Sequence, residues 1–167
     1  MKTDLSDILK QAIIMEARGK SLYQKVAEQT ENKDVKKIFD IMAEEEQTHI
    51  EFLTRQLINL KNKQQFEKND FSSQEHAEEA VNKILTQEIT EKISGAGFEA
   101  AAISAAIDME NKSIEVYSEQ AKKATDPNAK ELFEWLANWE KGHHKLLIEL
   151  NKQLTEKVWY DNSFWPF

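Results

Sequence analysis

The chain has no cysteine, two prolines and four glycines in 167 residues. The missing cysteines exclude disulfide frameworks, thiolate metal sites and cysteine nucleophiles, and they suit a reducing compartment. The scarcity of Pro and Gly removes the residues that punctuate hairpins and short strands. With Lys, Glu, Ala, Leu, Ile and Gln dominant, the composition favours long helices. Positive charge is in deficit too: 22 Lys and Arg stand against 30 Asp and Glu, a formal charge of -8, and Lys is interspersed with Glu. Phosphate binding needs a basic stripe, so no nucleic-acid partner is expected. Nor is there an apolar run of about 18 residues, the least that spans a membrane as a helix. The opening, MKTDLSDILK, is polar and unlike a secretory signal. No membrane partner is expected, and the chain reads as one soluble, cytoplasmic domain over residues 1–167, long enough to enclose a sizeable core.

What is present is helical periodicity. Leu5, Leu9, Ala12, Gly19, Tyr23 and Val26 follow one another along a helix seam, with Glu16 on the same line. A second seam carries Val35, Phe39, Met42, Leu53 and Leu60, with Glu46 and His49 on it. Residues 61–73, KNKQQFEKNDFSS, lose the period and read as a polar connection, and a shorter helix is expected from about Gln74 to Ile93, ended by SGAG. Ile103, Ala106, Ser113 and Tyr117, with Glu110, mark a third long helix. Asp126 and Pro127 start a fourth, with an Asp cap and Pro in the first turn. The seam of that helix carries Phe133, Leu136, Leu147 and Leu150, yet also Glu140 and His143.

An internal repeat explains these polar intruders. An offset of 94 residues places Met15-Glu16 on Met109-Glu110, Tyr23 on Tyr117, Phe39 on Phe133, Glu46 on Glu140, His49 on His143 and Leu53 on Leu147, without a gap. Each half is a helix pair, about 4–64 and about 97–157, joined by a crossover at about 65–96 and followed by an aromatic tail at 158–167. Two similar hairpins joined by a long crossover pack about an approximate two-fold axis. The expected fold is an all-α four-helix bundle of two repeated hairpins, with the seam polars meeting at its centre.

Such a meeting is unstable without counter-charge. Each buried carboxylate carries a desolvation penalty of order several kcal/mol before mutual repulsion is added. Two divalent cations would balance four carboxylates, and two neutral imidazoles would complete the donor set without adding charge. Glu at i and His at i+3 are neighbours on one helix face, so each E-x-x-H presents a carboxylate and an imidazole together. Oxygen-rich ligation without sulfur suits iron or manganese better than structural zinc.

These residues resemble the ferritin-like di-iron carboxylate proteins, and within them the rubrerythrin family. The resemblance runs from about Leu5 to Leu154 and rests on MEARGKSLY and EEEQTH in the first half, MENKSIEVY and WEKGHH in the second. It implies Glu16 and Glu110 as terminal ligands, Glu46 and Glu140 as bridging ligands with a catalytic part, and His49 and His143 as nitrogen ligands. Two iron ions per chain are implied, with manganese or a mixed-metal pair as the alternative. Tyr23 and Tyr117 lie seven residues after a ligand Glu, about 10 Å along the axis, but lean back toward the N-terminus. Their implied role is to hydrogen-bond a bridging carboxylate.

The resemblance also implies peroxide or dioxygen as substrate, a homodimer, and a rubredoxin-like electron donor. Rubrerythrin proper carries a small four-Cys domain that passes electrons to the iron pair; these 167 residues hold no Cys, so the donor is expected to be an external protein. Rubrerythrins also often have a glutamate where this chain has Ser113. Gly19 and Ser113, repeat mates on the seam, read either as room for a small oxidant beside the metals or as close helix packing. His144, about 100° around the helix from His143, is expected to face solvent or a neighbouring helix, and His76 the surface of the crossover helix. Gly142 has no reading beyond close backbone packing near the site. The five aromatics of VWYDNSFWPF are expected to dock on the bundle or a second subunit. Three functions stay open: a redox enzyme, an iron-oxidising or iron-handling protein, and a non-catalytic helical module.

Overall fold

The computed structural model describes residues 5–68 and 97–161. Among these residues there are four helices and no strand: α1 (Leu5–Gln29), α2 (Lys33–Lys63), α3 (Phe98–Lys123) and α4 (Pro127–Asp161). The all-α bundle expected from the composition is what the chain forms. The expected helix at 74–93 with His76, and the end of the aromatic tail, lie outside the described residues.

The two hairpins turn at equivalent points. Asn32 caps α2, its side-chain oxygen accepting from the backbone N–H groups of Asp34 (3.0 Å) and Val35 (3.2 Å). Its repeat mate Asp126 caps α4 in the same way, accepting from Asn128 (2.8 Å) and Ala129 (3.2 Å), with Pro127 as the first helical residue. Each cap satisfies two of the otherwise unpaired donors at a helix start, worth about 1 kcal/mol.

Packing follows the repeat. One apolar cluster contains Tyr23, Val26, Ile38, Phe39, Met42, Ile103, Ala106, Leu147 and Leu150. The other contains Leu9, Ala12, Leu53, Tyr117, Leu132, Phe133 and Leu136. The 94-residue offset exchanges them, sending Phe39 to Phe133, Met42 to Leu136 and Leu9 to Ile103. Phe39 and Phe133 are both enclosed, and truncation of such a ring costs about 3–5 kcal/mol. The core is thus two equivalent apolar plugs, one contributed mainly by each hairpin's turn region and completed by the other hairpin.

Four details differ from the periodicity. Leu5 is 38% exposed, because the first turn of α1 extends past the packed region. Leu60 is only half-buried. The polar connection begins later than residue 61 and holds a core residue: α2 runs to Lys63, Gln64 takes a left-handed conformation (φ 55°), and Phe66 turns back into the second plug, buried. Buried Gln56 holds this return, donating to the Glu67 carbonyl (2.9 Å) and accepting from its N–H (3.0 Å). A lone aromatic in a charged run carries no period, which is why pattern alone missed it.

Gly142 is the fourth. A Cβ built there meets nothing within 4 Å, so close packing does not account for this glycine. Gly142→Ala is expected to raise stability by about 1 kcal/mol, through helix propensity and a less flexible unfolded chain. Urea unfolding of the metal-free protein measures this, and an unchanged or lowered midpoint would contradict it.

Candidate metal centre

Between the two apolar plugs lies a polar layer to which every helix contributes. α1 supplies Glu16, α2 Glu46 and His49, α3 Glu110, and α4 Glu140 and His143, all buried. Glu16, Glu46, His49 and Glu140 each offer a donor atom within 4.8 Å of the others, and so do Glu46, Glu110, Glu140 and His143. Glu46 and Glu140 belong to both groups.

The orientation of those two carboxylates is the decisive feature. His49 Nδ1 lies 3.5 Å from Glu46 Oε2 and 3.0 Å from Glu140 Oε1. His143 Nδ1 lies 3.3 Å from Glu46 Oε1 and 3.2 Å from Glu140 Oε2. Each shared carboxylate therefore gives one oxygen to each half of the centre. The unshared glutamates complete the halves: Glu16 Oε2 is 2.9 Å from His49 Nδ1, and Glu110 Oε1 is 3.5 Å from His143 Nδ1.

These donors fit two divalent cations. Ions bound at about 2.0–2.6 Å from oxygen and nitrogen donors separate those donors by no more than about twice that distance, which matches the spread within each group of four. Glu140 Oε1 is also buried and makes no hydrogen bond, its 3.0 Å approach to His49 notwithstanding. A buried carboxylate oxygen without a protein partner is unfavourable, and a cation placed there would satisfy it.

With this geometry established, comparison with known families places the chain. The family model described as Rubrerythrin matches residues 7–151. The chain belongs to the rubrerythrin family. No curated protein and no solved structure gives a significant match. The fold is therefore that of the ferritin-like di-iron family, and no helix among the described residues is long and apolar enough to cross a membrane.

The tyrosines of this rubrerythrin-family centre bond differently from the expectation. Tyr23 donates to Glu110 Oε1 and Tyr117 to Glu16 Oε1, both unshared glutamates of the opposite half, in place of the bridging carboxylates. The reason is helix direction. Position 23 meets 110 while position 16 meets 117, so α1 and α3 run antiparallel, and the residue seven beyond one glutamate stands opposite the other. Both hydroxyls have pKa values raised well above 10, by burial first and by the facing carboxylates next, so they remain donors.

Gly19 lies directly against the shared carboxylate. A Cβ there would come 3.2 Å from Met109 Cε and 3.3 Å from Glu46 Cδ, so the space beside Glu46 depends on the glycine. Its mate Ser113 is buried. His144 is half-exposed and belongs to neither donor group. Two residues that flank the histidines escaped the sequence reading: Glu45 Oε2 lies 2.6 Å from His143 Nε2, and the Trp139 ring stands 5.3 Å from that of His49. The signal was available, because Glu45 and Trp139 are repeat mates that differ in chemistry.

Without metal, protons take over the charge balance. Glu110 is pushed up to about 8 by burial and by the Glu140 charge. Glu46 is raised by burial and by the charges of Glu140 and Glu16. Burial opposes protonation of His49, but the Glu140 charge and contacts with Glu140, Glu16 and Glu46 outweigh it and raise the pKa. For His143, bonds to Glu110, Glu140, Glu45 and Glu46 likewise outweigh burial. Glu140 goes the other way: burial would raise it, but His49 and His143 together hold it well below 4.5.

The consequence for stability has a definite sign. Glu46 and Glu110 keep protons in the fold that an unfolded glutamate releases above about 4.5, so their contribution is lost as pH rises, for Glu110 through about 8. The histidine contributions are present below 6.5 and are also lost as pH rises through their raised folded values. Glu140 contributes above 4.5 and loses that only at lower pH, outside this window. The metal-free protein is expected to melt at progressively lower temperature from pH 5.5 to 8, by roughly 1 kcal/mol or more per pH unit. Cations displace the same protons, so stabilisation by added Mn(II) is expected to grow over that range. Thermal melts in chelator and in Mn(II) test both, and a metal-free melting temperature that is flat or rising contradicts the proton balance.

Proposed function

We propose that this rubrerythrin-family chain is a non-haem di-iron oxidoreductase that reduces hydrogen peroxide, or dioxygen, with electrons from an external rubredoxin-like protein. The observation that carries the proposal is the pair of shared carboxylates, Glu46 and Glu140, each offering one oxygen to the His49 half and one to the His143 half. Glu16 and His49 would hold one iron, Glu110 and His143 the other, with Glu46 and Glu140 bridging. When bound, two Fe(II) ions supply the two electrons that, with two protons, take peroxide to two water molecules.

The protein's own part is to hold these charges in register through the cycle. Tyr23 and Tyr117 fix Glu110 and Glu16 from across the bundle, which limits how far either terminal carboxylate swings. Gly19 lets α1 pack directly against Glu46 and Met109, where a Cβ would press on both, so the shared carboxylate keeps its place. Phe52, Trp135 and Trp139 form an aromatic wall beside His49 that keeps water from that side. A role in oxidative-stress defence, a cytoplasmic location and a homodimer belong to the same reading, supported by family membership and the absence of cysteine. Ferroxidase activity is the second reading. It is favoured by Ser113, a buried hydroxyl where rubrerythrins often carry one more carboxylate.

Anaerobic loading with two Fe(II) per chain, followed by stopped-flow absorbance against stoichiometric peroxide and against dioxygen, separates the readings. Oxidation much faster with peroxide is the expected result; faster oxidation by dioxygen with release of Fe(III) transfers the assignment to ferroxidase. The double variant Glu46→Ala, Glu140→Ala is expected to lose bound iron and all oxidation. Retention of both would place iron binding and oxidation away from these carboxylates, and a wild-type chain that neither binds iron nor oxidises it would leave only a non-catalytic module.

A further inference from the structure

Two equivalent contacts in the bundle are made by chemically different residues. Across α2 and α4, position 45 meets His143 while position 139 meets His49, and the 94-residue repeat exchanges the two. On the His143 side the residue is Glu45, its side chain 14% exposed, with Oε2 2.6 Å from Nε2. On the His49 side it is Trp139, in edge-to-face contact at 5.3 Å and 86°, joined by Trp135 at 5.5 Å and 80°. His49 Nε2 is buried and makes no hydrogen bond.

Both rings turn Nδ1 toward the ligand carboxylates, so a neutral imidazole that offers its Nδ1 lone pair to a cation carries its hydrogen on Nε2. Glu45 accepts that hydrogen from His143. Among the described residues His49 Nε2 has no such acceptor, and the rings in contact with His49 are the indoles of Trp135 and Trp139; N–H···π contacts are weak beside a charged acceptor.

We infer that Glu45 makes the two metal positions unequal, so that the Glu110–His143 position binds a divalent cation more tightly and fills first, leaving Glu16–His49 as the weaker, exchangeable position. This rests on the two-cation reading of the centre. A carboxylate behind a ligating imidazole fixes its tautomer and ring angle and strengthens it as a donor, and losing such a partner lowers metal affinity by about 10–100-fold. Glu45 acts through His143 and is a positioning residue. Repulsion between two cations also separates successive binding steps, but it acts on either order of filling and does not depend on residue 45.

The test is anaerobic titration of the full chain with Co(II) alone, followed by visible absorbance and calorimetry, for the wild type and the near-isosteric Glu45→Gln. The variant is expected to weaken the first step by about tenfold or more, to leave the second much less affected, and to change the spectrum at one Co(II) per chain. Equal weakening of both steps, as expected from removing a charge at a distance, would overturn the inference, as would weakening of the second step alone or no change in either. In those cases two Co(II) still bind and the di-metal reading survives. A wild type that binds no Co(II) overturns both. Circular dichroism of Glu45→Gln checks that its fold is intact.

Discussion

Four buried carboxylates within reach of one another repel, and the remainder of this bundle is arranged around that repulsion. Glu16, Glu46, Glu110 and Glu140 are each nearly inaccessible to solvent. Enclosed from bulk solvent, they draw their neutralising charge from protons or cations. The metal-free chain divides the task unevenly: Glu46 and Glu110 favour holding protons, Glu140 stays ionised between two imidazoles, and both histidines favour the charged form. Two apolar plugs flank the layer and fix the helices that carry it. Their burial, at about 25 cal/mol per Å² of apolar surface, is the favourable term against which the polar layer is held.

Antiparallel pairing turns one sequence repeat into one shared site. Because α1 faces α3 and α2 faces α4 with directions reversed, the contacts that cross the polar layer fall at paired positions, 23 on 110 with 117 on 16 and 45 on 143 with 139 on 49. A carboxylate on the axis between halves then serves both, which is why Glu46 and Glu140 each divide their oxygens between two histidines. The match of the rubrerythrin family model to residues 7–151 agrees with this architecture.

Much of this was legible before any coordinates. The offset of 94 aligned six polar residues on inward seams, and helix geometry puts Glu and His three apart on one face, so residues 16, 46, 49, 110, 140 and 143 could be grouped from pattern alone. What pattern could not supply was the partner across the bundle. Tyr23 was placed correctly along its own helix but against the wrong carboxylate, because the choice depends on the direction of the facing helix. Phe66 and Gln56 went unread for a related reason: their roles depend on the chain turning back after Gln64. Gln56 even replaces the leucine found at its repeat mate, Leu150, a substitution that looks like a loss of core until the Glu67 backbone is seen against it.

The crossed tyrosines bear on how the molecule comes apart. Tyr23 of the first hairpin secures a glutamate of the second, and Tyr117 of the second secures one of the first. Neither hairpin owns a complete half of the centre, since each half also borrows a carboxylate from the opposite hairpin. A fluctuation that opens one hairpin therefore dismantles both halves together, and no partly open form retains one intact cation site. The centre behaves as a clasp between the two hairpins, so opening at this layer costs both cation positions at once, where like charges would otherwise drive the helices apart.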